Sequence, residues 1–160
     1  MSKRLFPVLV SLTLIGGCLF FWWNTRPEQQ LTRQTELLLD QIRFQKLSLR
    51  TATDRHEQLE KVLAEELRLE GSHPVPSESL SREEFYQHLD ELHSYVTLLE
   101  VDHGEILITR NAETAELHLD LTVKGAAGQK YQVSEAWSLR LLYEKQDRWR
   151  LTYLKAVRQP

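Results

Sequence analysis

The sequence predicts an α+β fold in which three helices pack on a curved, cone-like sheet of four antiparallel strands, behind an N-terminal membrane-spanning helix. Three observations predict it. An uncharged apolar run occupies residues 5–23. Apolar residues then recur at three- and four-residue spacing as far as about residue 95, as in amphipathic helices. From about residue 97, apolar and polar residues alternate, as in strands with one buried face.

The apolar run from Leu5 to Trp23 is predicted to be a membrane anchor. About 19 residues at ~1.5 Å rise per residue span a hydrocarbon core of ~30 Å. The run ends in Trp22 and Trp23, whose indole rings favour the membrane interface. Two basic residues before the run outweigh Arg26 after it, so the positive-inside rule keeps the N-terminus in the cytoplasm. The domain is therefore expected outside the inner (cytoplasmic) membrane.

Cys18 leaves two alternatives open for the same segment. Residues 14–18, LIGGC, resemble the site at which bacterial lipoproteins are cut and acylated. Cleavage of a secretory signal elsewhere is the other alternative. Both alternatives export the following domain, as an uncleaved anchor does. Cys18 is the only cysteine, so an intrachain disulfide is excluded and the domain depends on its core for stability.

The segment after the anchor, residues 27–160, has the size of one exported domain. Three of the 20 basic residues lie at or before Arg26, and all 23 acidic residues follow it, which leaves this domain a formal charge of −6. A surface that binds nucleic acid needs clustered Lys and Arg. The composition therefore argues against nucleic acid as a partner.

Three helices are predicted, over residues 28–49, 53–69 and 82–95. Pro27 suits the first turn of the first helix, whose apolar stripe extends to Leu47. The stripe of the second helix ends near Leu67. Ser81 followed by Glu84 forms a capping box that begins the third helix.

Four strands are predicted, over residues 97–109, 113–123, 130–143 and 148–157. The first is interrupted near Gly104, and residues 125–128 connect the second strand to the third. On the third strand the predicted buried face comprises Val133, Glu135, Trp137, Leu139, Leu141 and Tyr143. On the fourth strand it comprises Trp149, Leu151, Tyr153, Lys155 and Val157.

The second half of the chain resembles one known fold family. From Ser81 to Val157, a helix and an interrupted strand are followed by AELHLDLTVKG and YQVSEAWSLRLLYEKQDRWRLTYLKAV. This order is similar to the second half of a nuclear transport factor 2-like, or SnoaL-like, domain, in which a tryptophan such as Trp149 commonly begins the last strand. The resemblance covers about half of the chain. It departs before Ser81, where no short strand between the second and third helices is evident.

The resemblance implies several functions. The family includes ketosteroid isomerases, dehydratases, epoxide hydrolases and polyketide cyclases, which use a carboxylate or a histidine in the mouth of the cone. Fold alone transfers none of these activities. A membrane-anchored domain of this fold also resembles, in layout, the periplasm-facing assembly factors of type IV secretion systems.

Glu135 is the weak candidate for a catalytic carboxylate, because it lies among apolar residues on a predicted buried face. A buried carboxylate without a neighbouring cation is a candidate general base. If Lys155 on the next strand approaches it diagonally, Glu135 instead belongs to a structural ion pair.

Five residues are predicted to shape a pocket or binding surface, namely Trp137, Tyr143, Trp149, Tyr153 and Lys155. The alternative for such an aromatic stripe is core filling. His118 and Asp120, two residues apart, either orient each other as a base and its partner or belong to a solvated or dimer-forming sheet face. No metal-ligand spacing, phosphate loop or dinucleotide fingerprint occurs, so neither a metal site nor a cofactor is predicted.

The sequence favours a single-pass, membrane-anchored module that binds without turnover. Its expected partner is another protein of the cell envelope or a small apolar ligand, because confinement to a membrane raises the local concentration of a binding module. The alternative is an isomerase, dehydratase or cyclase that uses a pocket carboxylate. A third hypothesis is a homodimer formed through the sheet.

Overall fold

The computed structural model describes residues 26–73, 75–128 and 131–160. Its helices there are α1 (Pro27–Ile42), α2 (Ala52–Glu60) and α3 (Arg82–Tyr95). Its strands are β1 (Phe44–Gln45), β2 (Leu63–Gly71), β3 (Glu78–Ser81), β4 (Leu98–His103), β5 (Leu107–Arg110), β6 (Thr114–Ala127), β7 (Tyr131–Lys145) and β8 (Trp149–Arg158). The described residues divide into two units between residues 33 and 34, so α1 contributes to both. The sheet and the other two helices belong to the second unit.

The strands form one sheet in the order β1-β4-β6-β7-β8-β2-β3, with β5 paired to β6. Neighbouring strands are antiparallel except β2 and β8, which run parallel. The predicted α+β class, with three helices on a curved sheet, is confirmed. The predicted number of four strands is wrong, because the described residues form eight. The chain before α3 supplies three, and the first predicted strand is divided into β4 and β5.

The first helix ends at Ile42 rather than at residue 49. Phe44 and the next residue leave the helix to pair with β4. Thr51 then caps α2, because its side chain accepts a hydrogen bond from the Asp54 N–H at 3.1 Å. Leu47, which was assigned to the apolar stripe, is 88% exposed in the loop between these two elements.

Residues 63–69, predicted as the second half of the second helix, belong instead to β2, which runs from Leu63 to Gly71. Leu63, Leu67 and Leu69 fit both a helical stripe and one face of a strand. Pairing with β3 and β8 decides between the two, and β8 lies too far along the chain for a local pattern to reveal it. The capping box at the start of α3 is as predicted, since the Ser81 side chain accepts from the Glu84 N–H at 3.2 Å.

The inner face of the sheet carries the core. Its buried side chains on the two long strands are Leu117, Leu119, Leu121, Trp137, Leu139, Leu141 and Tyr143. The predicted alternation of β6 and β7 is therefore confirmed along this stretch. Side chains nearer the hairpin between β6 and β7 are less buried, and Val133 is 39% exposed.

The predicted buried face of β8 is correct as far as Leu151 and wrong after it. Leu151 and Tyr153 pair with consecutive residues of β7, so Thr152 between them is an extra residue, which makes a β-bulge. A one-residue shift exchanges the two faces of a strand. The buried residues that follow are Leu154 and Ala156. The predicted inward residues Tyr153, Lys155 and Val157 lie on the opposite, outer face.

Along the stretches that the structure describes, no helix is both long and apolar enough to cross a membrane. The predicted anchor, residues 5–23, and Cys18 within it lie outside the described residues.

Candidate functional site

Glu135 lies on the inner face of β7 near the end of the core. Its carboxylate is 2.9 Å from Nη2 of Arg158 and accepts a hydrogen bond from Nε1 of Trp137 at 3.2 Å. The predicted pairing with Lys155 is wrong, because the register places Arg158 opposite Trp137. The Glu135 side chain is 22% exposed and its charge is neutralised by a guanidinium. Glu135 therefore belongs to an ion pair, with Arg158 as its partner in place of the predicted lysine.

The three inward aromatic residues fill the core. Trp137, Tyr143 and Trp149 are all buried. The Tyr143 hydroxyl shares a hydrogen bond of 3.0 Å with the Thr35 hydroxyl of α1. Burial raises the pKa of Tyr143 far above its ordinary value. The structure therefore separates the five predicted pocket residues, with these three inside and two on the outer face.

The two outward residues meet a carboxylate that the sequence did not single out. Tyr153 donates from Oη to Glu70 at 2.7 Å, and Lys155 donates from Nζ to the other carboxylate oxygen at 2.5 Å. These two bonds, that from Lys155 first, lower the pKa of Glu70, and the same contact raises the pKa of Lys155. The sequence does not single out Glu70, because the residues before it, 53–69, are predicted to be helical and no strand is expected beside β8.

A second charged group lies beside the first on the outer face. Arg140 donates from Nε and Nη2 to the two carboxylate oxygens of Glu116, at 2.8 and 2.9 Å. His118 Nε2 is 2.5 Å from the same carboxylate. Of the two alternatives for His118 and Asp120, the structure shows a solvent-exposed sheet face, on which Asp120 accepts from the Gln159 side chain at 3.0 Å. The arginine, followed by the histidine, lowers the pKa of Glu116.

These groups line an open cleft of about 450 Å3 on the outer face. The polar residues around it include Arg68, Glu70, Glu116, Arg140, Glu144 and Tyr153. Side chains of both charges are spread over four strands, and Lys155 lies between Arg140 and Glu70. We call these six residues, with His118 and Lys155, the outer-face lattice. Its geometry suits recognition of a surface with complementary charges.

A polar group also joins α2 to α3. His56 Nε2 is 2.8 Å from Asp90, Arg55 Nη2 is 3.4 Å from the other oxygen of that carboxylate, and the His56 ring stacks on Tyr86 at 4.4 Å. Burial raises the pKa of Tyr86 to about 12. His56 and Asp90 are 34 residues apart, so no local pattern identified the pair. The arrangement either ties two helices together or orients a histidine base through its carboxylate.

His93 is the buried histidine of α3. Its Nε2 donates to the Ile42 carbonyl at 2.9 Å, which leaves Nδ1 as the unprotonated nitrogen. Burial lowers the pKa of His93. In the described part of the chain, no three His, Cys, Asp or Glu side chains are placed to hold a metal ion.

Comparison with known proteins identifies the fold. Neither protein-family models nor curated proteins match the sequence. Among solved structures, a nuclear transport factor 2-like (NTF2-like) protein from Cytophaga hutchinsonii is similar with a TM-score of 0.64 and 13% identity, over 84% of this chain and 100% of that one. A protein assigned as a dehydratase of the NTF2-like family from Streptomyces avermitilis gives 0.64 and 10%, over 84% and 97%.

A hexachlorocyclohexane dehydrochlorinase, LinA-type3 from Novosphingobium barchaimii, is similar with a TM-score of 0.65 and 9% identity, over 81% of this chain and 84% of that one. Sequence identities this low show that the backbones are similar, but they do not show that the proteins share an activity. The similarity covers 81–84% of the chain, more than the half to which the sequence resemblance is limited. The described domain therefore has the nuclear transport factor 2-like fold.

Proposed function

We propose that this protein is a single-pass membrane protein whose domain is a non-catalytic binding or assembly module of the cell envelope. One observation carries the proposal: three carboxylates of the candidate site, including the predicted catalytic candidate Glu135, are each held by a cation. Glu135 pairs with Arg158, Glu70 with Lys155 and Glu116 with Arg140. None of them has the free charge that a pocket base needs.

The membrane part of the proposal rests on residues 5–23, whose length and lack of charge suit one crossing. Fractionation of cells that express the full chain should recover it with membranes that resist a carbonate wash. A reporter active only outside the cytoplasm should work when fused after residue 160 and fail when fused before residue 1. Recovery in the cytosol, or the reverse reporter pattern, contradicts this part.

The binding part of the proposal assigns recognition to the outer-face lattice. Its partner is an envelope protein or a second copy of this chain, since a face that carries charges of both signs is able to complement a second copy of itself. Reversing one charge in Arg140→Glu should lower the mass of the purified assembly. The double variant Glu116→Arg, Arg140→Glu exchanges both charges and restores the local ion pair. It tests whether a matched ion pair is sufficient for assembly. An unchanged mass in both variants, with partner capture also unchanged, excludes this face.

An enzyme of the isomerase, dehydratase or cyclase type is the second candidate. The observation that favours it is the contact of 2.8 Å between His56 and Asp90, whose side chains are each about one third exposed and thus within reach of solvent. Two solved structures with this fold also carry enzyme names. A panel of carbonyl compounds with acidic C–H bonds tests it by deuterium exchange. Enzymatic exchange should disappear in Asp90→Asn and persist in Glu135→Gln; no exchange above background in the wild type rejects the enzyme.

A further inference from the structure

The outer edge of β4 is a strand edge that the fold leaves unpaired. β1 pairs with Leu98 and Leu99 of this edge and then ends. In the part of the chain that the structure describes, no strand continues along the edge from Val101 to His103. An unpaired edge presents N–H and C=O groups that are able to template another strand.

The ladder with β6 shows which backbone groups face outward. The Gly104 N–H donates to the Asp120 carbonyl at 3.0 Å, and in an antiparallel pair every second residue is bonded in this way. Asp102 lies two residues earlier in the same register, so its backbone N–H and C=O groups also bond to β6. Val101 and His103 direct their N–H and C=O groups away from β6.

Arg43 already satisfies one of these outward groups. Its Nε donates to the Val101 carbonyl at 2.7 Å, where the N–H of a further strand would otherwise donate. Arg43 is exposed, and a strand that pairs here would have to replace its side chain at this carbonyl. The guanidinium thus takes the place of one N–H donor of a further strand, and this single bond does not complete the pairing of the edge.

An open groove of about 430 Å3 follows this edge. Its walls are β4 on one side and, on the other, the end of α1 and the loop after β1, with Asp40 and Arg50 joined by a salt bridge of 2.9 Å. The volume lies within the ~300–1,000 Å3 typical of ligand sites. The groove lies where a short extended segment paired with β4 would run.

The charges of β4 indicate which segment would bind. Glu100 and Asp102 are exposed on the same face of the strand and line the groove. Neither carboxylate contacts a cation among the described side chains. Val101, between them, is buried on the other face. Opposite charges on directly paired and diagonal positions of neighbouring strands attract.

We propose that the β4 edge is a site of β-strand addition for an extended segment of a partner protein in which basic and apolar residues alternate. The segment runs antiparallel to β4, as β1 does. Its apolar residues face Val101 and His103 and exchange backbone hydrogen bonds with them. Its basic residues face Asp102 and lie near Glu100. The site is separate from the outer-face lattice and does not depend on the membrane anchor.

The test uses the full-length protein and the peptide Lys-Val-Lys-Val-Lys with blocked ends. Backbone amide resonances of Val101 and His103 should shift and gain protection from hydrogen exchange when the peptide is added. The amides of Glu100 and Asp102 are the internal control, because they are already bonded to β6. No change at Val101 and His103 with up to ~1 mM peptide overturns the proposal.

Two methylated peptides separate strand addition from charge attraction. N-methyl groups on both valines remove the N–H donors that face β4, whereas N-methyl groups on the lysines remove donors that face solvent. The first peptide should bind about 10-fold more weakly than the parent, and the second within about 2-fold of it. Equal binding of the two isomers overturns the proposal.

The charge requirement is tested in the protein. In the double variant Glu100→Lys, Asp102→Lys, affinity for the lysine peptide should fall about 10-fold, and a Glu-Val-Glu-Val-Glu peptide should bind better than to the wild type. Both positions are exposed, so the melting temperature is expected to stay near that of the wild type. Unchanged preference between the two peptides overturns the charge assignment. None of these results bears on the assembly mass that tests the outer-face lattice.

Discussion

The two faces of the same sheet are built from alternate residues of the same strands but contribute differently to the stability of the domain. On β7 the inner Leu141 is fully buried, while its neighbour Arg140 is exposed and bound to a carboxylate. Burial of an aliphatic side chain contributes about 1.5–3 kcal/mol to stability, whereas an exposed ion pair contributes little. The inner face thus holds the fold together, and the outer face is free to serve recognition. The predictions below test this division.

The largest effect is expected from Leu141→Ala on the inner face. The cavity it leaves should lower the free energy of unfolding by about 2–5 kcal/mol. Arg140→Ala, one residue away on the outer face, is the matched control and should change it little. Chemical denaturation of both variants measures the difference. Equal losses would mean that the outer-face lattice supports the fold.

A tyrosine on each face allows the same chemical change to be compared. Tyr143→Phe leaves the buried Thr35 hydroxyl without its partner and should lower the free energy of unfolding by about 1–3 kcal/mol. Tyr153→Phe removes a bond to Glu70 that solvent is able to replace, so its effect should be much smaller. Thermal unfolding of the two variants under one condition gives the ranking. The reverse order contradicts the division of the sheet.

Acid should affect the two regions in different pH windows. Burial lowers the pKa of His93, so the unfolded chain binds its proton first, near the ordinary value of ~6.5. Its contribution to stability is therefore complete above that pH and declines as the pH falls toward the lower, folded-state pKa. Wild-type stability should drop more between pH 7 and pH 5 than that of His93→Gln, which keeps the donor to Ile42. Parallel curves would show that His93 is not responsible.

The outer-face lattice should respond at lower pH. Arg140 and His118 lower the pKa of Glu116, so the stabilisation by this carboxylate is present above its ordinary value of 4.5 and declines as the pH falls through the lower folded-state value. Glu116→Gln should remove a small part of the acid sensitivity below pH 4.5 and none of that above pH 5. Denaturation curves for the two proteins across this range measure both parts.

Salt should produce the smallest effect and should act on one face only. Exposed ion pairs are screened when the Debye length falls to ~3 Å in 1 M salt, whereas buried apolar contacts are not. The stability difference between Glu116→Gln and the wild type should therefore vanish in 1 M sodium chloride. The loss in Leu141→Ala should persist there. A salt-dependent loss in Leu141→Ala would show that its cause is not cavity formation.

Local patterns predicted the second half of the domain better than the first. The alternation of β6 and β7 is a local property, because one face of each strand is buried along most of its length. Residues 63–71 fitted two periodicities, and only their pairing with β8 selected a strand. The alternation of apolar and polar residues in β8 does not reveal the bulge at Thr152, so it predicts the wrong face of the sheet for Lys155.

The sequence by itself determined the α+β class, the capping box before α3, the interrupted strand near Gly104 and the aromatic residues of the core. These features depend on residues that are close together in the sequence, so a local sequence pattern is enough to predict them. Only the tertiary structure decided the partners of the charged residues. Glu70 and Lys155 are 85 positions apart, and Glu135 meets Arg158 instead of the predicted lysine. A one-residue bulge changed those partners, because a shift in register reverses every side chain that follows it.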